Sequence, residues 1–267
     1  PTSFMATYAY AFAPSAATSF LAATATKVAV YLLLRFSYDI FGKSKIFSEL
    51  PLGEILIVLS VAAMFIASTV AIYQQDIKRM FAYSSVAQIG YITLGASFAS
   101  QTALTASIVH LFNHAITKGG LFLLLGIIAY HLGQPTILKL RGLSKSMPWT
   151  SAGIVLCGLS LIGVPGTAGF ISKWLLIQAV LEQNMWWLAF MILLSSLLAI
   201  VYVWRLFETI YFREPKNEIE TNTFDVPLLM ALCAAVMTAS CLFFGFHTSL
   251  SLDGASEAAR VLLEFAK

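Results

Sequence analysis

Long apolar stretches separated by short polar stretches make up most of this chain. Each apolar stretch reaches about 20 residues, which is the length that an α-helix needs to cross roughly 30 Å of hydrocarbon. We therefore predict an all-α polytopic membrane protein with about seven transmembrane helices. The predicted spans are 12–36, 54–73, 81–98, 103–130, 150–181, 185–212 and 225–246.

The fifth predicted span is long and interrupted. Gly163, Pro165, Gly166 and Gly169 lie close together within it. Proline removes a backbone donor, and glycine loosens the backbone. We predict two half-helices with an unwound middle at about 160–170. Broken helices at membrane depth are tolerated where protein or a polar cavity surrounds them, and they often mark ion or substrate sites.

Composition agrees with a membrane location. Of the 267 residues, 59% are hydrophobic and 11% are charged, and the mean hydropathy is +0.83. About a quarter of the residues are charged in a typical soluble domain. The net charge of +3 says little about partners, because membrane proteins collect Lys and Arg in their loops. The sequence shows no nucleic-acid-binding pattern. The apolar composition indicates that the lipid bilayer surrounds the chain.

The basic residues of the loops predict an orientation. If the spans alternate, the more basic side holds Lys78, Arg79, Lys139, Arg141, Lys145, Arg213 and Lys216. The other side holds Arg35, Lys43 and Lys45 in one loop, and the next two loops have no Lys or Arg. The positive-inside rule then places the N-terminus in the cytoplasm and the C-terminus outside a cell inner (plasma) membrane.

The pattern predicts a single transmembrane domain over 1–267 with a short amphipathic tail at 250–267. In that tail, apolar and charged residues alternate with helical spacing. The apolar residues are Val261, Leu262 and Phe265, and the charged ones are Glu257, Arg260 and Glu264.

Ionisable residues inside the spans carry the functional information. His110, His114 and Lys118 are spaced at i, i+4 and i+8, so they form a row on one face of a helix. Lys27 lies within an apolar span, and Lys173 follows the interrupted segment. An ammonium at bilayer depth costs on the order of 3 kcal/mol, so it should face the bundle interior or water. Histidine titrates near neutral pH and passes a proton between its ring nitrogens. These five residues are the parts of a proton relay.

Each residue also has a structural interpretation. A lysine near a helix end can extend its ammonium to the membrane surface, and a buried histidine can simply be hydrogen-bonded in the core. The histidine pair lacks the glutamate of a zinc-protease motif and an evident third ligand, so no metal is predicted. Arg205 and Glu208 lie near one helix end about a turn apart, and we expect them to form a structural pair.

Several motifs resemble the antiporter-like subunit family, which includes proton-pumping membrane subunits of respiratory complex I, related membrane hydrogenases and large subunits of Mrp-type cation/proton antiporters. The resemblance is strongest to the D-type large subunits of the Mrp branch, and it extends from about Tyr10 to Pro215. The motifs are APS at 13–15, KVAVY at 27–31, QQDIKRMFAYSSVAQIG at 74–90, HxxxHxxxKGGLFL at 110–123 and GVPGTAGFISKW at 163–174.

This resemblance implies a fold and a set of roles. Family members have about fourteen spans, built from two inverted five-helix repeats that each contain one broken helix. This chain would hold the last helix of the first repeat, the whole second repeat and one further helix. Lys27 would link the two halves, the row of His110, His114 and Lys118 would be the central relay, and Lys173 would lie nearest the outer exit. The first half of such a subunit would be supplied by a preceding segment or by another chain.

The resemblance also implies a function. We expect a proton-translocating subunit of a multisubunit Na⁺/proton antiporter, working with other membrane subunits and without a cofactor or covalent catalysis. One alternative is a proton-pumping subunit of an NADH:quinone oxidoreductase (complex I) or a related hydrogenase, which would make the chain part of an enzyme. The other alternative is a non-conducting membrane scaffold.

Overall fold

The computed structural model describes residues 15–40, 51–214 and 226–264, and this part of the chain is a bundle of α-helices without a β-strand. The chain is an all-α polytopic membrane protein, as predicted. The helices are α1 (Ser15–Arg35, followed by a π-helical turn at Phe36–Ile40), α2 (Leu52–Tyr73), α3 (Ile77–Ala96), α4 (Gln101–Leu132), α5 (Leu143–Ser146), α6 (Pro148–Ile162), α7 (Ala168–Glu182), α8 (Trp186–Tyr211), α9 (Leu228–Phe246) and α10 (Ser249–Glu264).

Every predicted span corresponds to a helix or, for the fifth span, to the pair α6 and α7. Within the described ranges, five helices are long and apolar enough to cross a membrane, namely α1 with its π-helical turn, α2, α4, α8 and α9. Helix α6 is a shorter apolar helix. Helix α3 is less apolar because it carries Lys78, Arg79 and Gln88, yet most of its residues are buried. It packs against α2 and α4, so protein rather than lipid surrounds most of its surface.

Helix α4 lies at the centre of the bundle. Its N-terminus is capped by the Ser100 side chain, which accepts a hydrogen bond from Ala103 N, and its C-terminus ends at Gly133 with a φ of 71°. Gly119 and Gly120 allow Met237 of α9 to approach the helix closely. Helix α4 contacts α1, α3, α6, α7, α9 and α10. A polar side chain on α4 is therefore enclosed by protein on most sides.

The predicted basic loops lie together at one end of the bundle. Ile77 N donates to Pro135 O at 3.1 Å, which joins the α2–α3 loop to the segment after α4. Gly142 N donates to Thr209 O at 3.2 Å, which joins that segment to the end of α8. The predicted orientation also used three lysines that lie outside the described residues, namely Lys43, Lys45 and Lys216. Positions 12–14 of the first predicted span lie outside them as well.

Helix α10 packs its small and apolar residues onto the bundle. Ala259, Leu262 and Leu263 contact a cluster that includes Val30 and Leu34 of α1. The opposite face carries Arg260, which pairs with Glu257 and Glu264. Val261 is 37% exposed, and Phe265 lies outside the described residues.

The expected pairing of Arg205 with Glu208 is wrong. The Arg205 guanidinium instead donates to Ile72 O at 2.6 Å, Gln74 O at 3.1 Å and Gln75 Oε1 at 3.0 Å. These acceptors lie at the end of α2, where the last carbonyl groups have no partner within the helix. Glu208 pairs with Arg213, which lies at the exposed end of α8.

Candidate proton-relay site

His110, His114 and Lys118 form a buried row on α4. The row extends about 12 Å along the helix axis, because each residue adds about 1.5 Å. The rings of His110 and His114 are nearly parallel, with centroids 6.2 Å apart and an angle of 13° between the planes. Lys118 is 0% exposed. The regular spacing of the motif thus becomes a row of three ionisable side chains inside the bundle.

Helix α3 holds the ammonium of Lys118. Lys118 Nζ donates to Phe81 O at 2.7 Å and also donates to Ser84 Oγ. The ammonium lies 5.2 Å from the centroid of the Phe81 ring. Among the described residues, no carboxylate pairs with this lysine. A buried ammonium must be hydrogen-bonded, and these two oxygens of α3 meet part of that need.

His110 is held between α3 and α7. Its Nε2 lies 2.9 Å from Gln88 Oε1, and its Nδ1 lies 2.8 Å from Ser172 Oγ. An amide oxygen only accepts hydrogen bonds, so the proton of the neutral ring is assigned to Nε2. Nδ1 then accepts from the Ser172 hydroxyl, whose single proton in this arrangement goes to the ring rather than to Gly169 O at 3.2 Å. The two partners orient the ring, and the Gln88 oxygen favours the tautomer with the proton on Nε2.

His114 has a different environment. It is buried, and neither of its ring nitrogens has a hydrogen-bond partner among the described residues. The neighbouring Asn113 donates to Ala168 O at 2.7 Å, while its Oδ1 is also without a partner there. Buried polar atoms of this kind are normally satisfied by ordered water. His114 lies one helical turn from His110 and one helical turn from Lys118.

The interrupted segment provides the surroundings of Lys173. Helix α6 ends at Ile162 and α7 begins at Ala168, so the break lies within the predicted region. Gly163 has a φ of 91°, a left-handed conformation that favours glycine. A Cβ added at Gly169 would lie 1.8 Å from Ser160 O, so only glycine allows α7 to approach the end of α6 this closely. Pro165 and Gly166 complete the connection between the two half-helices.

Lys173 lies at the C-terminal end of α6, where the last carbonyl groups have no partner within the helix. Its Nζ donates to Leu161 O and Ile162 O, both at 2.9 Å, and to Ser196 Oγ of α8 at 3.1 Å. The ammonium also lies 4.7 Å from the centroid of the Tyr91 ring. The last carbonyl groups of a helix lack intrahelical partners and form the negative end of its dipole. Among the described residues, the Lys173 ammonium contacts neutral oxygens at this end of the broken helix and on α8.

Two groups connect His110 with Lys173. Gln88 Nε2 reaches Leu161 O at 3.5 Å, and Leu161 O is one of the acceptors of the Lys173 ammonium. The Tyr91 ring lies 5.6 Å from the His110 ring, measured between centroids, and the Lys173 ammonium lies 4.7 Å from the centroid of the same Tyr91 ring. The polar contacts therefore link the α4 row to the broken helix.

Lys27 is buried, but its described hydrogen bond stays within its own helix. Its Nζ donates to Ala22 O of its own helix. Helix α1 packs directly on α4, where a Cβ added at Gly119 would lie 3.5 Å from the Ala23 Cβ. The structure brings Lys27 to the side of the row, while the described contacts do not join it to His110, His114 or Lys118 by a hydrogen bond.

The sequence reasoning did not assign roles to Ser84, Gln88, Tyr91, Ser172 and Ser196, which make the contacts described above. The sequence alone could have indicated Gln88, because a glutamine inside an apolar helix needs a buried hydrogen-bond partner. Ser172 adjoins Lys173 in the chain, but its contact with His110 joins residues 62 positions apart. Such a contact depends on the rotation of two helices, which the apolar pattern does not determine.

Comparison with known proteins gives the family context. Over 205 residues, the chain is 38% identical to NADH-quinone oxidoreductase subunit N of Desulforudis audaxviator, covering 77% of this chain and 40% of the relative. The fold resembles a subunit in the Mrp complex from a Dietzia species, with a TM-score of 0.87 and 25% identity, covering 97% of this chain and 55% of that one.

A second solved structure gives a similar result. A chain in the membrane-bound sulfane sulfur reductase, an archaeal respiratory membrane complex, matches with a TM-score of 0.85 and 26% identity over 100% of this chain and 53% of that one. The chain thus spans about half the length of the relatives that it matches. Residues 6–199 match the family described as NADH:quinone oxidoreductase/Mrp antiporter, transmembrane. The chain belongs to this family of membrane proteins.

Proposed function

We propose that this chain is the proton-translocating part of a multisubunit Na⁺/proton antiporter. Protons would move along Lys118, His114 and His110 to Lys173, with Lys27 entering from the side of α1. The observation that carries this proposal is the row of buried ionisable groups on α4, in which His110 is joined through Gln88 and Leu161 O to the broken helix.

The relay needs only proton hopping. Each lysine holds its proton at a small set of neutral oxygens, so arrival of a second positive charge nearby favours release of that proton. His110 can accept a proton at Nδ1 and release one at Nε2, because its two ring nitrogens contact different partners. His114 accepts and releases the proton between Lys118 and His110.

The likeness to the Mrp complex over nearly the whole chain supports the antiporter assignment. The sequence likeness to an NADH-quinone oxidoreductase subunit supports a second candidate, in which the same relay is driven by quinone reduction in a complex I-type assembly. Both candidates place the chain among other membrane subunits. For either one, we propose that the end of the bundle with the basic loops faces the cytoplasm.

Substitution of Lys118 tests the relay. Lys118→Met preserves the length and apolar stem of the side chain and removes the proton-carrying group. In vesicles that contain the assembled complex, Lys118→Met should abolish proton movement, which is measured with a pH-sensitive dye. The conservative Lys118→Arg variant keeps a cationic side chain at this position, and it should insert and assemble. Proton movement at the wild-type rate in Lys118→Met would instead favour the scaffold interpretation.

A further inference from the structure

Three oxygens from two helices converge on the Lys173 ammonium. Leu161 O and Ile162 O come from the end of α6, and Ser196 Oγ comes from α8. We call these three oxygens the cation cradle. All three lie 2.9–3.1 Å from one point, the Lys173 Nζ atom. The Tyr91 ring covers the same point at 4.7 Å.

Two of the three cradle oxygens are backbone carbonyls, and the third is the hydroxyl of Ser196 on another helix. The left-handed turn at Gly163 ends α6 and leaves its last carbonyl groups pointing into the break. The contact between Gly169 and Ser160 fixes the start of α7 beside them. Ser196 is positioned by α8, which packs against α6 and α7. The oxygens are therefore held in place independently of the Lys173 side chain.

The chemistry of the cradle suits a monovalent metal cation. Carbonyl and hydroxyl oxygens are the ligands with which membrane proteins replace the hydration shell of such ions. Divalent cations normally require carboxylate ligands, and in the described part of the chain no carboxylate pairs with Lys173. The face of an aromatic ring adds further attraction for a cation.

We propose that Leu161 O, Ile162 O and Ser196 Oγ form a binding site for Na⁺, in which the Lys173 ammonium is the tethered competitor. This inference rests on the proposed function, and it locates the transported cation at the broken helix. One set of three oxygens accommodates one positive charge, so Na⁺ enters as the ammonium leaves. Leu161 O also contacts Gln88, so the exchange is communicated to His110.

Binding of ²²Na⁺ tests the cradle without transport. The purified chain, together with the membrane subunits that accompany it, is equilibrated with ²²Na⁺ in detergent at fixed pH. Lys173→Ala removes the competitor and should raise the affinity for ²²Na⁺ about tenfold or more. Adding Ser196→Ala should reverse about tenfold of that gain, because one ligand is lost.

Ser195→Ala is the matched control in the Lys173→Ala background. Ser195 is the preceding buried serine of α8, but its hydroxyl donates to Met64 O at 3.5 Å and it is not part of the cradle. This control should leave ²²Na⁺ binding unchanged. If Lys173→Ala binds no more ²²Na⁺ than the wild type, or if the two serine variants behave alike, the cradle is wrong.

The test of the Na⁺ site can be kept apart from the test of the proposed function. Should Lys173→Ala fail to assemble, Ser196→Ala alone must raise the Na⁺ concentration that half-saturates proton movement in vesicles, while Ser195→Ala must not. Loss of the binding effect with proton movement intact overturns only the cradle. Intact ²²Na⁺ binding with no proton movement under any driving force overturns only the proposed function.

Discussion

Gln88 Oε1 lies 2.9 Å from His110 Nε2, and this contact joins α3 to the row of His110, His114 and Lys118 on α4. The other end of the same amide reaches Leu161 O, which also accepts a hydrogen bond from Lys173. Gln88 therefore contacts both the histidine and the oxygen that holds the last lysine. In the proposed relay, Gln88 would orient His110 without itself carrying a proton.

Gln88→Leu should slow proton movement while the complex still assembles. The leucine fills a similar volume but leaves Nε2 of His110 without its acceptor, so the neutral ring can adopt either tautomer. We expect a decrease of about tenfold or more, the lower end of the effects seen for proton-transfer groups. The measurement is the rate of proton movement across vesicles as a function of pH.

Gln88→His provides the matched comparison, because it restores a nitrogen acceptor on the same helix face. Rescue of the rate and of its pH profile by this variant would show that the acceptor matters rather than packing alone. Equal rates in wild type and Gln88→Leu over the whole pH range would contradict an orienting role.

Gly169→Ala should destabilise the protein and impair transport together. The added Cβ would meet Ser160 O at 1.8 Å, so α7 must move away from the end of α6. Overpacking of this kind costs about 1–3 kcal/mol, and the movement also carries Lys173 away from its acceptors. The midpoint of thermal unfolding in detergent measures the loss.

Gly254→Ala is the control for that substitution. A Cβ at Gly254 in α10 would have no atom within 4 Å, so the variant should unfold at the same temperature as the wild type or slightly higher. If Gly169→Ala matched Gly254→Ala in stability, the close approach at the break would not be required.

Arg205→Met should lower the unfolding temperature more than Arg213→Met. Arg205 satisfies Ile72 O and Gln74 O at the end of α2, and hydrogen bonds to charged groups contribute about 1.5–3 kcal/mol. Arg213 forms an exposed pair with Glu208, and such pairs contribute about 0–1 kcal/mol. Equal shifts for the two variants in the same thermal assay would rule out the capping role of Arg205.

The sequence predicted what depends on local pattern. Apolar runs indicated the positions of the helices, the four-residue spacing placed His110, His114 and Lys118 in one row, and glycine with proline located the break after Ile162. These features follow from the periodicity of one helix and from the backbone preferences of single residues.

Contacts between helices could not be predicted in the same way. Arg205 binds Ile72 O, 133 positions away in the chain, instead of its neighbour Glu208. The partners of His110 come from two other helices, and Lys27 bonds to its own helix rather than to the row. Each outcome depends on how the helices rotate and pack, and a single sequence records that only indirectly.

Exchange of protons for Na⁺ through Lys173 is tested most directly in everted vesicles. The vesicles come from antiporter-deficient cells that contain this chain with its native membrane subunits. A proton gradient is imposed, NADH is left out, Na⁺ is added, and a pH-sensitive dye follows the gradient. We predict a Na⁺-dependent collapse that disappears in Lys173→Ala. An unchanged gradient after Na⁺ addition, with the complex shown to be assembled, would contradict this exchange.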